Sequence, residues 1–206
     1  MGSNFEITVV AVDITEANSF IDVAVDEIIR IEKLISSWDV NSQTSEINKY
    51  AGVNPVKVNL ELFELIERSI AISNLTDGAF DISYASIDKI WKFDGTMSSM
   101  PSVEEITNSV KKVGYRNIVL NKEKHTVFLS LVGMKIGFGA IGKGYAADKA
   151  KQLLITKGVT AGIINASGDM NTWGKQVNDN EWTVAIVNPL NKKQVFASLP
   201  ISNRAV

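Results

Sequence analysis

Residues 137–146 read Gly137-Phe138-Gly139-Ala140-Ile141-Gly142-Lys143-Gly144-Tyr145-Ala146, and these residue types suit the binding of a phosphate. Glycines let backbone N–H groups approach an anion closely. A helix opening from such a loop adds the partial positive charge of its N-terminus, and Lys143 adds a full one. The chemistry this could serve is the holding of a phosphate ester or pyrophosphate and the neutralising of charge that develops on it.

Two known patterns overlap in this loop. Gly137, Gly139 and Gly142 spell GxGxxG, after a predicted strand Met134–Phe138 and before a predicted helix Lys143–Thr156. A dinucleotide fingerprint also needs an acidic residue about 20 positions on. That stretch, Thr156 to Gly162, contains none, and a hairpin precedes the loop where a βαβ unit should begin. Gly137, Gly142 and Lys143 also fit GxxxxGK, but a Walker A loop then needs Ser or Thr for Mg²⁺, and here stands Gly144. A plain strand-to-helix turn, with glycines for packing, is the alternative to a phosphate cradle.

Other residues could do chemistry. Asp81 follows Gly78-Ala79-Phe80, where it either caps turn amides or contacts a ligand. Asp148 sits early in the predicted helix, a place the dipole favours for a carboxylate. Asp169 follows Ser167-Gly168 at a strand end, where α/β ligands gather. Trp38 falls on the apolar stripe that ends the first helix. His125 is the only histidine and lies at a hairpin turn, which makes a Ser-His-Asp triad unattractive. There is no cysteine, so disulfides, thiolate metal sites and a Cys nucleophile are excluded.

The elements that must position these groups follow from periodicity. Phe5–Val12 reads as a strand. Phe20, Ala24, Ile28, Ile31, Ile35 and Trp38 share one face of a helix from about Thr15 to Ser37. The polar stretch Ser36 to Asn48 ends it. Asn59 caps a helix that buries Leu62, Phe63, Ile66 and Ile70, and Asp77-Gly78 turns the chain after it. Ser102 and Glu105 form a capping box for a helix running to about Val113. A hairpin pairs Asn117–Leu120 with Thr126–Val132. Strands at Ala161–Ala166, Trp182–Val187 and Gln194–Leu199 follow the glycine loop and its helix. Helices and strands interleave without strict βαβ alternation, so the fold class is α+β, a mixed sheet with packed helices.

Composition narrows the function. The 206 residues are 45% hydrophobic and 21% charged, with a net charge of −2. Without clustered Lys and Arg, a nucleic-acid groove is not expected. No stretch approaches the roughly 20 apolar residues of a membrane span, and no signal-peptide pattern is visible.

Several segments, in order, resemble the ApbE family of flavin transferases. They are Met1-Gly2-Ser3, Ile35-Ser36-Ser37-Trp38 with Ser45-Glu46-Ile47-Asn48, Thr76-Asp77-Gly78-Ala79-Phe80-Asp81-Ile82, Gly139 to Asp148, Asn165-Ala166-Ser167-Gly168-Asp169-Met170, and Trp182 to Pro189. They span nearly the whole chain, and their order and spacing carry the resemblance more than any one motif. The resemblance implies a two-part α/β molecule that binds FAD between its parts. It implies transfer of FMN from FAD to a Thr or Ser of an acceptor protein, with Mg²⁺ as cofactor and release of AMP. It also implies export, commonly as a periplasmic or membrane-anchored lipoprotein.

Carried over by position, the resemblance puts Met1 and Trp38 at the flavin side. Ala79, Phe80, Asp81, Ser167 and Asp169 would line the FAD site, Lys143 would face the phosphates as the catalytic cation, and the Ala140 carbonyl would bind Mg²⁺. Where the family usually has Asp, this chain has Gly137. The chain is expected to be one ApbE-like domain, residues 1–206, that ends before the family's later motifs, including the Asp and Thr of the metal site. Alternatives are an FAD-binding module without transfer, an FAD pyrophosphatase giving free FMN, and, more distantly, a Rossmann-type dinucleotide-binding protein.

Overall fold

The computed structural model describes residues 2–91 and 94–206. The chain divides into two compact units. A terminal unit contains residues up to Glu32 together with Ile141–Val206, and a central unit contains Lys33–Ala140.

In the terminal unit, β1 (Phe5–Val9) pairs antiparallel with β5 (Gly162–Ala166), which pairs antiparallel with β6 (Asp169–Trp173). α5 (Gly142–Thr156) packs on β5 and β6. Its buried Ala146, Ala147, Ala150 and Leu154 recur at helical spacing, and small residues let the helix lie close to the sheet. A long hairpin, β7 (Trp182–Asn188) with β8 (Asn191–Ile201), buries Trp182, Val184 and Ile201 with Ala161 in a satellite core. Residues 204–206 run along β6, where Met170 and Val206 exchange backbone hydrogen bonds of 2.8 and 2.9 Å.

α1 (Ile14–Ile35) crosses the boundary between the units. Ala24, Ile28, Ile31 and Ile35 form its buried stripe, as the spacing predicts. The helix stops at Ile35, so Trp38 is off the stripe and 81% exposed rather than packed at a helix end.

In the central unit, the stretch read as a polar end to the first helix instead holds a second one, α2 (Gln43–Lys49). Ser42 caps it by accepting from Ser45 N at 3.0 Å, and Ile47 is its buried anchor. α3 (Leu60–Leu75) starts at the Asn59 cap, and Leu62, Phe63, Leu65 and Ile66 are buried. α4 (Val103–Ser109) has the expected capping box but ends short of Val113. β2 (Val56–Lys57), β4 (Thr126–Leu129) and β3 (Ile118–Asn121) form a three-stranded sheet in that order.

Met134–Phe138 is not a strand. Side chains and a turn take its backbone polar groups in place of a ladder. Asn48 donates to Ile136 O at 3.0 Å and accepts from Ile136 N at 2.8 Å. Ser86 Oγ does the same for Lys135 O and N, both at 2.8 Å, and Gly137 N donates to Ile82 O at 2.9 Å. The class is α+β, and every described strand pair is antiparallel, so the parallel pairings of a mixed sheet are not among them.

Candidate functional site

In the central unit the site is built on a tight 3-10 turn, Ile82–Ser86. Asp81 makes the turn. Its Oδ1 accepts from Ser83 N at 2.7 Å and Ser83 Oγ at 2.6 Å, and its Oδ2 accepts from Tyr115 N at 2.8 Å. Ser83 Oγ in turn accepts from Gly114 N at 2.8 Å. Oδ1 of Asp81 therefore holds the turn itself, and Oδ2 ties it to Tyr115 in the short 3-10 turn Tyr115–Asn117 before β3.

Two clefts flank this turn, each of about 530 Å³, a volume suited to part of a cofactor-sized molecule. The first is lined by Ala79, Phe80, Asp81, Tyr84, Gly139 and Ala140, and so brings four of the residues singled out by sequence to one place. The second is walled by Trp38, Tyr84, Ile87 and Trp91, with Lys89 and Gly139 also lining it. The Lys89 ammonium sits 5.3 Å from the Trp38 ring centroid, a cation–π distance.

Tyr84 and Gly139 belong to both clefts. A Cβ on Gly139 would lie 2.4 Å from the Tyr84 hydroxyl, so glycine is what leaves room for that ring. A Cβ on Gly137 would lie 3.1 Å from Ala85 Cβ, so a side chain at this position would be crowded. Gly144 differs: apart from its chain neighbours and the backbone of its own helix, nothing among the described residues stands within 4 Å of where its Cβ would be.

In the terminal unit, α5 begins without a side-chain cap at Ile141. Lys143 is its second residue, and its Nζ lies 3.1 Å from Asp169 Oδ2. Lys143 Nζ also lies 3.5 Å from the Ser167 carbonyl. Ser167 and Gly168 join β5 to β6 with φ of +55° and +103°, as a two-residue hairpin turn with left-handed central residues requires. Gly168 N donates to Asn165 Oδ1 at 2.9 Å, which fixes the turn beside Lys143. Asp148 does not join this group. It accepts from Asn171 Nδ2, while Lys151 Nζ donates to Asn171 Oδ1 at 2.7 Å and to Thr172 O at 2.9 Å. Burial holds the Lys151 ammonium below the usual lysine range, and nearby Asp148 partly opposes this.

Lys143, Ser167 and Asp169 thus gather in the terminal unit, and Trp38, Ala79, Phe80, Asp81 and Ala140 in the central one. Met1 lies outside the described residues. His125 immediately precedes β4, and its ring centroid lies 5.7 Å from that of Phe63. Sequence reasoning missed Tyr84, Trp91, Asn171 and Lys151. Tyr84 and Trp91 are aromatics in a segment without periodicity, and only their place beside Gly139 marks them.

Mg²⁺ asks for about six oxygen ligands, commonly one or two carboxylates with substrate phosphates. The Ala140 carbonyl, which the resemblance assigns to Mg²⁺, would supply one donor. Asp81, in the same cleft, already commits both oxygens to backbone and hydroxyl donors. No group of three His, Cys, Asp or Glu suited to a metal occurs among the described residues. These residues do not by themselves make a Mg²⁺ centre.

Comparison with known proteins places the chain. Residues 1–206 match the profile of the ApbE family. A protein of Klebsiella pneumoniae named FAD:protein FMN transferase is 31% identical over 178 residues, which are 86% of this chain and 54% of that relative. The crystal structure of the ApbE protein of Thermotoga maritima superposes with a TM-score of 0.88 at 28% identity, covering 99% of this chain and 66% of that one. The flavin transferase ApbE of Vibrio cholerae shares the fold, with a TM-score of 0.83 at 18% identity. The chain spans about half the length of the curated relatives it matches and about two-thirds of the solved ones.

Proposed function

Because the chain belongs to the ApbE family, we propose that the protein it is part of is an FAD:protein FMN transferase. A Thr or Ser hydroxyl oxygen of an acceptor protein attacks the FMN-side phosphorus of FAD. The bond from that phosphorus to the bridging oxygen breaks. AMP leaves with the bridging oxygen, and the hydroxyl proton passes to solvent. The acceptor keeps FMN on a phosphoester.

One observation carries this reading: an uncapped helix N-terminus with Lys143 in its first turn, the ammonium already held at 3.1 Å by a half-exposed carboxylate. Phosphoryl transfer depends mainly on positioning and on neutralising charge. Lys143 is poised to exchange Asp169 for phosphate oxygens, and its charge then offsets what builds on the leaving phosphate. The open side of Gly144 lets a ligand approach the helix backbone closely. The relatives named FAD:protein FMN transferase support the choice of FAD.

Mg²⁺ dependence is part of the proposal, with the Ala140 carbonyl as one ligand. The proposal also includes export of the gene product as an anchored lipoprotein. No helix among the described residues is long and apolar enough to cross a membrane, and cell fractionation of the complete gene product tests the location.

The test is to incubate the complete gene product with FAD, Mg²⁺ and a candidate acceptor. Covalent flavin fluorescence on the acceptor with matching AMP is the expected result. FMN and AMP without a labelled acceptor would replace the transferase with a pyrophosphatase. FAD bound but left intact would leave only a flavin-binding module.

A further inference from the structure

Tyr84 stands at the junction of the two clefts. Its backbone is fixed in the 3-10 turn, with Tyr84 N donating to Asp81 O at 3.2 Å and Tyr84 O accepting from Ile87 N at 3.0 Å. Its side chain is 42% exposed and lines both clefts. The hydroxyl has no hydrogen-bond partner among the described residues. The space it fills is the space that a side chain at Gly139 would take.

The two clefts differ in chemistry. The first is small-sided, with Ala79, Gly139 and Ala140. The second presents three aromatic rings, Trp38, Tyr84 and Trp91, with Asp88, Lys89 and Lys135 also lining it. Aromatic walls favour a flat, conjugated ring system. Cations and a carboxylate suit a ring edge that offers carbonyl oxygens and a ring N–H, which the dione edge of a flavin does. Adenine has no carbonyl to meet a lysine.

We propose that Tyr84 is a specificity-determining residue which, with Trp38 and Trp91, selects the isoalloxazine ring of the dinucleotide for the aromatic cleft. This rests on the FAD reading above. Gly139 is then kept as glycine by the Tyr84 hydroxyl, and the Tyr84 ring is kept by the flavin.

Equilibrium titration of the complete gene product with FAD, with riboflavin and with ADP separates the two ends of the substrate. Riboflavin carries only the flavin end, and ADP only the adenine end with its phosphates. Riboflavin fluorescence should be quenched on binding to the wild type. Tyr84→Ala should raise the riboflavin Kd about tenfold or more, as expected for loss of one stacked ring, and change the ADP Kd less than about twofold. Tyr84→Phe should restore most of the lost riboflavin affinity. Trp91→Ala should also weaken riboflavin selectively, which gives a second variant if Tyr84→Ala does not fold. If the wild type binds FAD but these variants leave riboflavin unchanged, or weaken ADP as much, the assignment of Tyr84 is overturned while the FAD reading stands. If the wild type binds no FAD, both fall.

Discussion

Gly139→Ala should destabilise the protein when Tyr84 is present and stabilise it when Tyr84 is phenylalanine. The added Cβ would stand 2.4 Å from the Tyr84 hydroxyl oxygen, closer than real Cβ contacts. Something has to move. Overpacking of this kind costs about 1–3 kcal/mol, and the exposure of the Tyr84 ring argues for the low end. Alanine also offsets part of that cost. Gly139 is not in a left-handed conformation, so alanine suits its backbone and gains about 0.4–1 kcal/mol by restricting the unfolded chain. The net result should be a loss of roughly 0–0.6 kcal/mol from these two terms.

Removing the hydroxyl changes the sign. The next neighbour of the new Cβ is Tyr84 Cζ at 3.6 Å, ordinary van der Waals contact. In the Tyr84→Phe background only the entropic gain remains, so the same substitution should stabilise by about 0.4–1 kcal/mol. Urea unfolding of the wild type, both single variants and the double variant gives the coupling energy, provided m is constant across the four. A coupling of about 1 kcal/mol or more is expected. Additivity within about 0.5 kcal/mol would show that the hydroxyl does not hold position 139 to glycine, and would remove the structural support for Tyr84 as a fixed wall.

Three further outcomes follow from the same geometry. Gly137→Asp should destabilise, and Ala85→Gly should relieve most of the loss, because the new Cβ meets Ala85 Cβ at 3.1 Å; paired melting curves without such rescue would refute the crowding. Lys143→Ala should lower AMP release from FAD by about 100-fold or more while the fold persists, as loss of a charge-stabilising group does, and unchanged turnover would remove Lys143 from the mechanism. Lys151 gives a pH dependence: burial depresses its folded pKa below the usual 10.5, so between the two values the unfolded state binds more protons and stability rises with pH. Lys151→Met should lack that rise just below pH 10.5, and parallel stability curves for the two proteins would contradict it.

What the sequence made legible was what depends on neighbours along the chain. The α1 stripe, the Asn59 cap and the Ser102–Glu105 box are local signals, and the structure has them. What escaped depends on distant partners. Met134–Phe138 has the composition of a strand, but Asn48 and Ser86 satisfy its backbone from far along the chain. α2 was hidden because only Thr44 and Ile47 of its seven residues are buried, too few to show a period. β6 was hidden because Asp169 and Asn171 interrupt its apolar pattern, each serving a lysine of α5. The i, i+3 spacing that puts Trp38 on the α1 stripe runs one turn past the helix end at Ile35. At the candidate site, the motif residues could be named from sequence, but Tyr84 could not, since nothing in its local pattern reports that Gly139 lies against it.

A glycine-rich loop is ambiguous because two causes select glycine: crowding by the protein itself, and close approach by a ligand. Here the loop separates them. Gly137 and Gly139 are explained by Ala85 and Tyr84, with no ligand needed. Gly144 is not, because the space beside it is open. It lies in the first turn of α5, where glycine weakens a helix. If only the protein's own stability mattered, alanine would be preferred there by roughly 0.5–1 kcal/mol. Gly144→Ala should therefore leave the melting temperature unchanged or raise it, yet raise KM for FAD, because the new methyl group intrudes where phosphate meets the helix backbone. A lower melting temperature would mean that the chain does fill that space. Unchanged FAD kinetics would mean that no phosphate comes there. Either result would move the phosphate away from the N-terminus of α5. The residue that spoils a Walker A motif is thus the glycine whose retention most directly tests for a bound phosphate.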